Sequence, residues 1–130
     1  SKICSGMNLL IAEDNELNYE VISELLKMHG ITCEHASDGS ICVEMLKNSK
    51  KHTYDAILMD MQMPVMNGLY ATTAIRNMNS SEAHTIPIIA MTANAFKEDI
   101  EKCLNAGMNK YLSKPVDIFK LLKVLSEFRN

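Results

Sequence analysis

The sequence predicts an open, doubly wound α/β domain, with a parallel five-stranded sheet covered by helices on both faces. Three observations predict it. Short apolar runs of strand length alternate five times with helix-length amphipathic stretches over 130 residues. The runs "LLIA", "AILM" and "PIIAM" contain no polar side chain, as expected of strands covered on both faces. The links between runs are short, so strands flanked by helices must pair in parallel through right-handed crossovers.

The first unit is "MNLLIAED" (7–14), a strand ending in two acids, followed by "NELNYEVISELLKMHG" (15–30). There Leu17, Val21, Ile22, Leu25 and Leu26 recur at helical spacing, Asn15 is suited to the N-cap, and Gly30 to the stop. "ITCEHAS" is a short β-prone stretch, and "DGSICVEMLKNS" a helix with Ile41, Met45 and Leu46 inward. "YDAILMD" is a third strand, after which Gly68 opens the helix "LYATTAIRNM", with Leu69, Thr72 or Thr73, and Ile75 on one side. "NSSEAHT" reads as a polar loop, and Pro87 starts the strand "PIIAMT". "KEDIEKCLNAG" is a helix with acids in its first turn and Gly107 as its stop. "KYLS" is a last strand, and "VDIFKLLKVLSEFR" a last helix with Ile118, Leu121, Leu122, Leu125 and Phe128 on its apolar face.

In such sheets, ligands bind beyond the carboxyl ends of the strands, where the strand order reverses. The first strand ends in Glu13-Asp14, the third in Asp60, the fourth in Thr92, and the last in Lys114 just before Pro115. An apolar run that ends on a carboxylate needs compensation. Three clustered carboxylates repel one another, and a divalent cation relieves them; all-oxygen donors suit Mg²⁺ or Mn²⁺ better than Zn²⁺. One metal, one ammonium and one hydroxyl make a site for a phosphoryl group, with Asp60 as the nucleophile and Glu13 and Asp14 as metal holders. Singly, each residue has an ordinary role: Asp as a cap or turn former, Thr92 and Asn94 as caps, Lys114 as a surface charge. Matching chemistry at four of five strand ends is what singles the set out.

Composition bounds the function. With 47% hydrophobic and 22% charged residues the chain is an ordinary globular domain, and its net charge of −3 without a basic stripe argues against a nucleic-acid surface. No stretch approaches a membrane helix, so membrane contact is not expected. Residues 1–6 read as a linker or tail, without a signal peptide, ahead of one domain over 7–130. Cys4, Cys33, Cys42 and Cys103 lack metal-ligand spacing and read as small buried hydrophobes in a reducing cytoplasm. The four histidines carry no motif and read as solvated.

"AEDN" (12–15), "MDMQMPVMNG" (59–68), "MTANA" (91–95) and "YLSKP" (111–115) resemble, in order and spacing, the receiver domains of two-component response regulators, over residues 7–130. The resemblance implies a flavodoxin-like (βα)5 fold with strand order 2-1-3-4-5. It implies that Asp60 accepts a phosphoryl group from a phosphohistidine, with Mg²⁺ held by Asp14, Asp60 and the backbone carbonyl of Gln62, and by Glu13 through water. Lys114 and Thr92 would bind the phosphoryl oxygens, and the Lys114-Pro115 bond would be cis. Thr92 and Tyr111 match the switch pair, and Gln62 and Asn94 the positions that tune dephosphorylation. "AEDN", "DMQMP" and "TANA" look most like receivers of hybrid sensor kinases, with a histidine kinase or a histidine phosphotransfer domain as partner. Asn67 departs from the Asp of many relatives. The outward Lys120, Lys123, Glu127 and Arg129 leave room for a weak homodimer.

Three other readings compete. An aspartyl-phosphate phosphohydrolase of the haloacid dehalogenase type needs a second Asp two residues after the nucleophile, where Gln62 stands. A flavodoxin-like cofactor binder needs a phosphate loop where Glu13-Asp14 stand, and aromatic rings in a chain that has no Trp. A degenerate receiver would be a docking module that binds Mg²⁺ weakly or not at all. A working receiver catalyses only its own phosphorylation and dephosphorylation.

Overall fold

The computed structural model describes residues 2–93 and 96–129. The sheet consists of β1 (Asn8–Ala12), β2 (Thr32–Ala36), β3 (Ala56–Asp60), β4 (Ile88–Thr92) and β5 (Lys110–Ser113), all parallel, in the order β2-β1-β3-β4-β5. Between them run α1 (Glu16–Lys27), α2 (Gly39–Asn48), α3 (Gly68–Arg76), α4 (Ser81–Thr85) and α5 (Lys97–Ala106), and α6 (Ile118–Glu127) follows β5. The fold class is the one the sequence pattern predicts, and the strand order the one the family resemblance implies.

Helix starts are written into the chain. The side chains of Asn15, Asp38, Asn67 and Asp117 each accept a backbone N–H from the first turn of α1, α2, α3 and α6. Gly107, at φ 110°, closes α5 in the left-handed conformation that favours glycine.

Although the runs "LLIA", "AILM" and "IIAM" within β1, β3 and β4 are apolar throughout, their side chains divide by the two-residue strand period. Leu9, Ile11, Leu58, Ile89 and Met91 pack under α1 and α6 with Leu26, Leu121 and Leu125. Leu10, Ile57, Met59, Ile88 and Ala90 face the other side, against Cys42, Leu46, Ala71, Ile75 and Cys103. All four cysteines are free thiols; Cys4, in the segment before β1, is buried and donates to the Leu122 carbonyl of α6.

Two local expectations are corrected. The segment read as the loop "NSSEAHT" contains the one-turn helix α4, capped by Ser80. Arg76 holds that turn in place: its guanidinium donates to the carbonyls of Ala83 and Gly107 and to Asn109 Oδ1, each at 3.0 Å. In α2 it is Cys42 that turns inward, whereas Ile41 is exposed. In α1 only Leu26 is fully buried; Leu17, Val21 and Leu25 form an apolar stripe on the outside.

One close approach shapes the carboxyl edge. A Cβ on Gly68 would overlap the carbonyl oxygen of Asp60, so the β3–α3 loop can fold back onto the end of β3 only with glycine there. Gly68→Ala is expected to destabilise the fold by about 1–3 kcal/mol, as overpacking does, read from denaturant unfolding. An unchanged unfolding midpoint would mean that this contact is dispensable.

Candidate functional site

The strand order reverses between β1 and β3, and the charged groups gather at their carboxyl ends. Glu13 follows β1 directly, held by its N–H donating to the Ala36 carbonyl at 3.0 Å. Asp60 is the last residue of β3. One carboxylate oxygen from each of Glu13, Asp14 and Asp60 lies within 4.8 Å of the others. Glu13 and Asp60 are buried, and Asp14 is exposed at the mouth.

Lys114 enters from β5. Its N–H donates to the Thr92 carbonyl at 2.8 Å, tying the ends of β4 and β5 together and aiming its side chain across the site. Its Nζ lies 2.9 Å from Asp60 Oδ1 and 3.8 Å from Glu13 Oε1. The Lys114-Pro115 peptide is cis. Asp60 Oδ1 also accepts the Gln62 N–H at 3.1 Å, whereas Asp60 Oδ2 accepts no hydrogen bond from the described residues. A buried carboxylate oxygen without a donor invites a cation or an electrophile.

Thr92 closes β4 beside this cluster and is buried. Tyr111 lies on β5 with its side chain 41% exposed. Gln62 is exposed in the loop after Asp60. Asn94 lies outside the described residues.

Burial pushes the Glu13 carboxyl up to about 7; the Asn15 N–H, donated to Oε2 at 3.1 Å, opposes this, and the adjoining Asp60 carboxyl adds to it. The cluster thus carries more negative charge than one ammonium neutralises. Three carboxylates that each offer an oxygen fit a hard divalent ion of the Mg²⁺ type, and nothing soft is among the donors.

One contributor escaped the sequence reading. His35, expected to be solvated, stacks on Tyr19 at a ring-centroid separation of 4.0 Å, and its Nε2 lies 2.7 Å from the Glu13 carbonyl oxygen. It braces the backbone that carries the acids. The alternation of β2, which pairs His35 with Ile11 of β1, was the available signal.

An open, doubly wound domain with an acidic pocket and a lysine at its carboxyl edge defines a class, and the comparisons give the family. Residues 9–126 match the response regulator receiver domain, and the chain belongs to that family. It is 42% identical over 120 residues to the hybrid signal transduction histidine kinase I of Dictyostelium discoideum, covering 91% of this chain and 7% of that protein. It resembles the receiver domain of sensor histidine kinase PA1611 from Pseudomonas aeruginosa PAO1, at TM-score 0.83 and 40% identity over 95% of this chain and 98% of that one. That structure holds a magnesium ion in its active-site cleft. The receiver of Saccharomyces cerevisiae Ssk1, solved with the histidine phosphotransfer protein Ypd1, matches at TM-score 0.84 and 31% identity over 95% and 88%. The chain spans between 4% and 15% of the length of the curated histidine kinases it matches. No helix among the described residues is long and apolar enough to cross a membrane.

The raised Glu13 pKa has a signed consequence. Between about 4.5 and about 7 the folded chain holds a proton on Glu13 that the unfolded chain releases, so without metal this group's contribution to stability falls as pH rises through that window. Comparing unfolding of the wild type and Glu13→Gln across pH 4 to 8 should show the fall weakened in the variant. Parallel curves would refute it.

Proposed function

We propose that this chain is a phosphoacceptor receiver that takes a phosphoryl group from a phosphohistidine onto Asp60 with Mg²⁺, and either changes its own surface or relays the group to a histidine phosphotransfer domain. The observation that carries this reading is the state of Asp60. Its carboxylate is buried, one oxygen is held by Lys114 and the Gln62 N–H, and the other has no donor among the described residues.

Oδ2 is the nucleophile. It attacks phosphorus as the bond from phosphorus to the imidazole nitrogen breaks, and that nitrogen leaves with the electron pair. Lys114 Nζ then neutralises a phosphoryl oxygen in place of the carboxylate it held, and the Thr92 hydroxyl donates to another. Glu13, Asp14, Asp60 and the Gln62 carbonyl would hold Mg²⁺, which when bound supplies positive charge to the transferring oxygens and to the acids around them. Drawing Thr92 inward leaves space for the Tyr111 ring, half-exposed here, to turn in and alter the α5–β5–α6 surface. Gln62 and Asn94, neither acidic, are proposed to set the lifetime of the phospho-form.

The donor is proposed to be a histidine kinase or histidine phosphotransfer domain in the cytoplasm, which the free thiols suit. The outward stripe of α1 supports a protein donor. Leu17 is 68% and Val21 53% exposed, and Val21, Ile22, Leu25, Met91, Pro115 and Val116 line a cleft of about 390 Å³ that reaches Glu13 and Lys114. A partner helix laid there would bury apolar surface next to the mouth of the site.

Intact mass after incubation with acetyl phosphate tests the reading. One added phosphoryl group is expected in the wild type with Mg²⁺, none without the metal, and none in Asp60→Asn, which keeps the shape but not the nucleophile. In the labelled sample the Tyr111 ring resonances should report a buried ring. No adduct on folded protein with Mg²⁺, or an equal adduct in Asp60→Asn, would overturn the proposal.

A further inference from the structure

Val65 stands at the tip of the β3–α3 loop, five residues after Asp60, and combines two unfavourable features. Its φ is 68°, in the left-handed region that a β-branched residue rarely enters and that glycine or asparagine takes readily. Its side chain is 86% exposed, the most open of the large hydrophobic side chains among the described residues. Folding alone favours a different residue at this position.

The loop imposes the conformation. The Met66 N–H donates to the Pro64 carbonyl at 2.7 Å, closing a tight turn about Val65, and the Met66 carbonyl accepts the Gly39 N–H of α2 at 3.1 Å. Met63 is anchored in the core, and Asn67 caps α3. Pro64 and Val65 are therefore a short exposed tip on a loop fastened at both sides. An apolar side chain held that rigidly loses little conformational freedom when a partner covers it.

Asp60 is 2% exposed, so a protein donor has to seat over the rim to bring a phosphohistidine to it. The α1 stripe stands on one face of the sheet and the β3–α3 loop leads into the helix on the other, so the two flank the mouth. We infer that Val65 is a specificity-determining contact for the histidine-bearing donor domain, closing the rim on the side opposite Leu17 and Val21. The inference rests on the phosphoacceptor reading of Asp60. Backbone strain kept at an exposed apolar residue, on the loop that follows a reacting group, is what such a contact leaves in the free protein.

Two donors separate this role from a structural one. Acetyl phosphate needs only the pocket, whereas phosphorylated Ypd1 needs a docking surface as well. With Ypd1, Val65→Gly should slow the initial transfer roughly tenfold, the loss of one buried valine contact, and Val65→Ile should retain the wild-type rate. With acetyl phosphate all three should label alike, and Val65→Gly should melt no lower than the wild type because its φ is relieved. Wild type no faster than Val65→Gly with Ypd1, whether both are fast or both inert, would overturn the inference and leave the aspartyl-phosphate reading standing. An equal loss with acetyl phosphate would also overturn it, by making Val65 structural. Wild type that acetyl phosphate fails to label would strike the Asp60 reading, and this inference with it.

Discussion

Lys114 lies 2.9 Å from Asp60 and 3.8 Å from Glu13, one ammonium facing a set of carboxylates that Asp14 brings to three. Two of the acids are almost wholly withdrawn from water, where ionised carboxylates are stabilised only by fixed positive charge and hydrogen bonds. One lysine does not supply enough. Glu13 answers by keeping its proton up to about 7, while one Asp60 oxygen stays without a donor among the described residues. A site left short of positive charge in this way favours a divalent cation, and it favours an electrophile that adds oxygens for Lys114 to hold.

The fold serves that balance through backbone contacts. Strand order places β1 beside β3, so Glu13 and Asp60 emerge side by side at the point of reversal. The bond from Lys114 N–H to Thr92 delivers the ammonium from a strand two positions away from β3. Gly68 lets the next helix start against the Asp60 carbonyl, and His35 braces the Glu13 carbonyl from the sheet edge. None of these contacts contributes charge to the pocket; each fixes a side chain that does.

Much of this was legible in the sequence because the signals were local. The strands "LLIA", "AILM" and "PIIAM" announce a covered parallel sheet, and Asn15 caps α1 through a side-chain oxygen close at hand. The site residues could be named because the carboxyl ends of neighbouring strands must converge. What escaped depends on distant partners. The α4 turn forms in a polar stretch that Arg76, from α3, holds by the Ala83 carbonyl. Ile41 and Cys42 are adjacent apolar residues, and only the packing of α2 on the sheet selects the cysteine. The stripe of Leu17, Val21 and Leu25 shows a helical period but not which side of the helix meets the core. His35 carries no motif, and its role comes from a ring on α1 and a carbonyl after β1.

The central claim is chemical and local: of the three acids at the mouth, Asp60 is the one that becomes phosphorylated. Borohydride reduction of the acyl phosphate followed by peptide sequencing in the mass spectrometer reads the position directly, because a reduced aspartyl phosphate becomes homoserine. The account predicts homoserine at position 60 alone, in protein treated with acetyl phosphate and Mg²⁺. Reduction at Glu13 or Asp14 instead, or an adduct that borohydride leaves untouched, would contradict it.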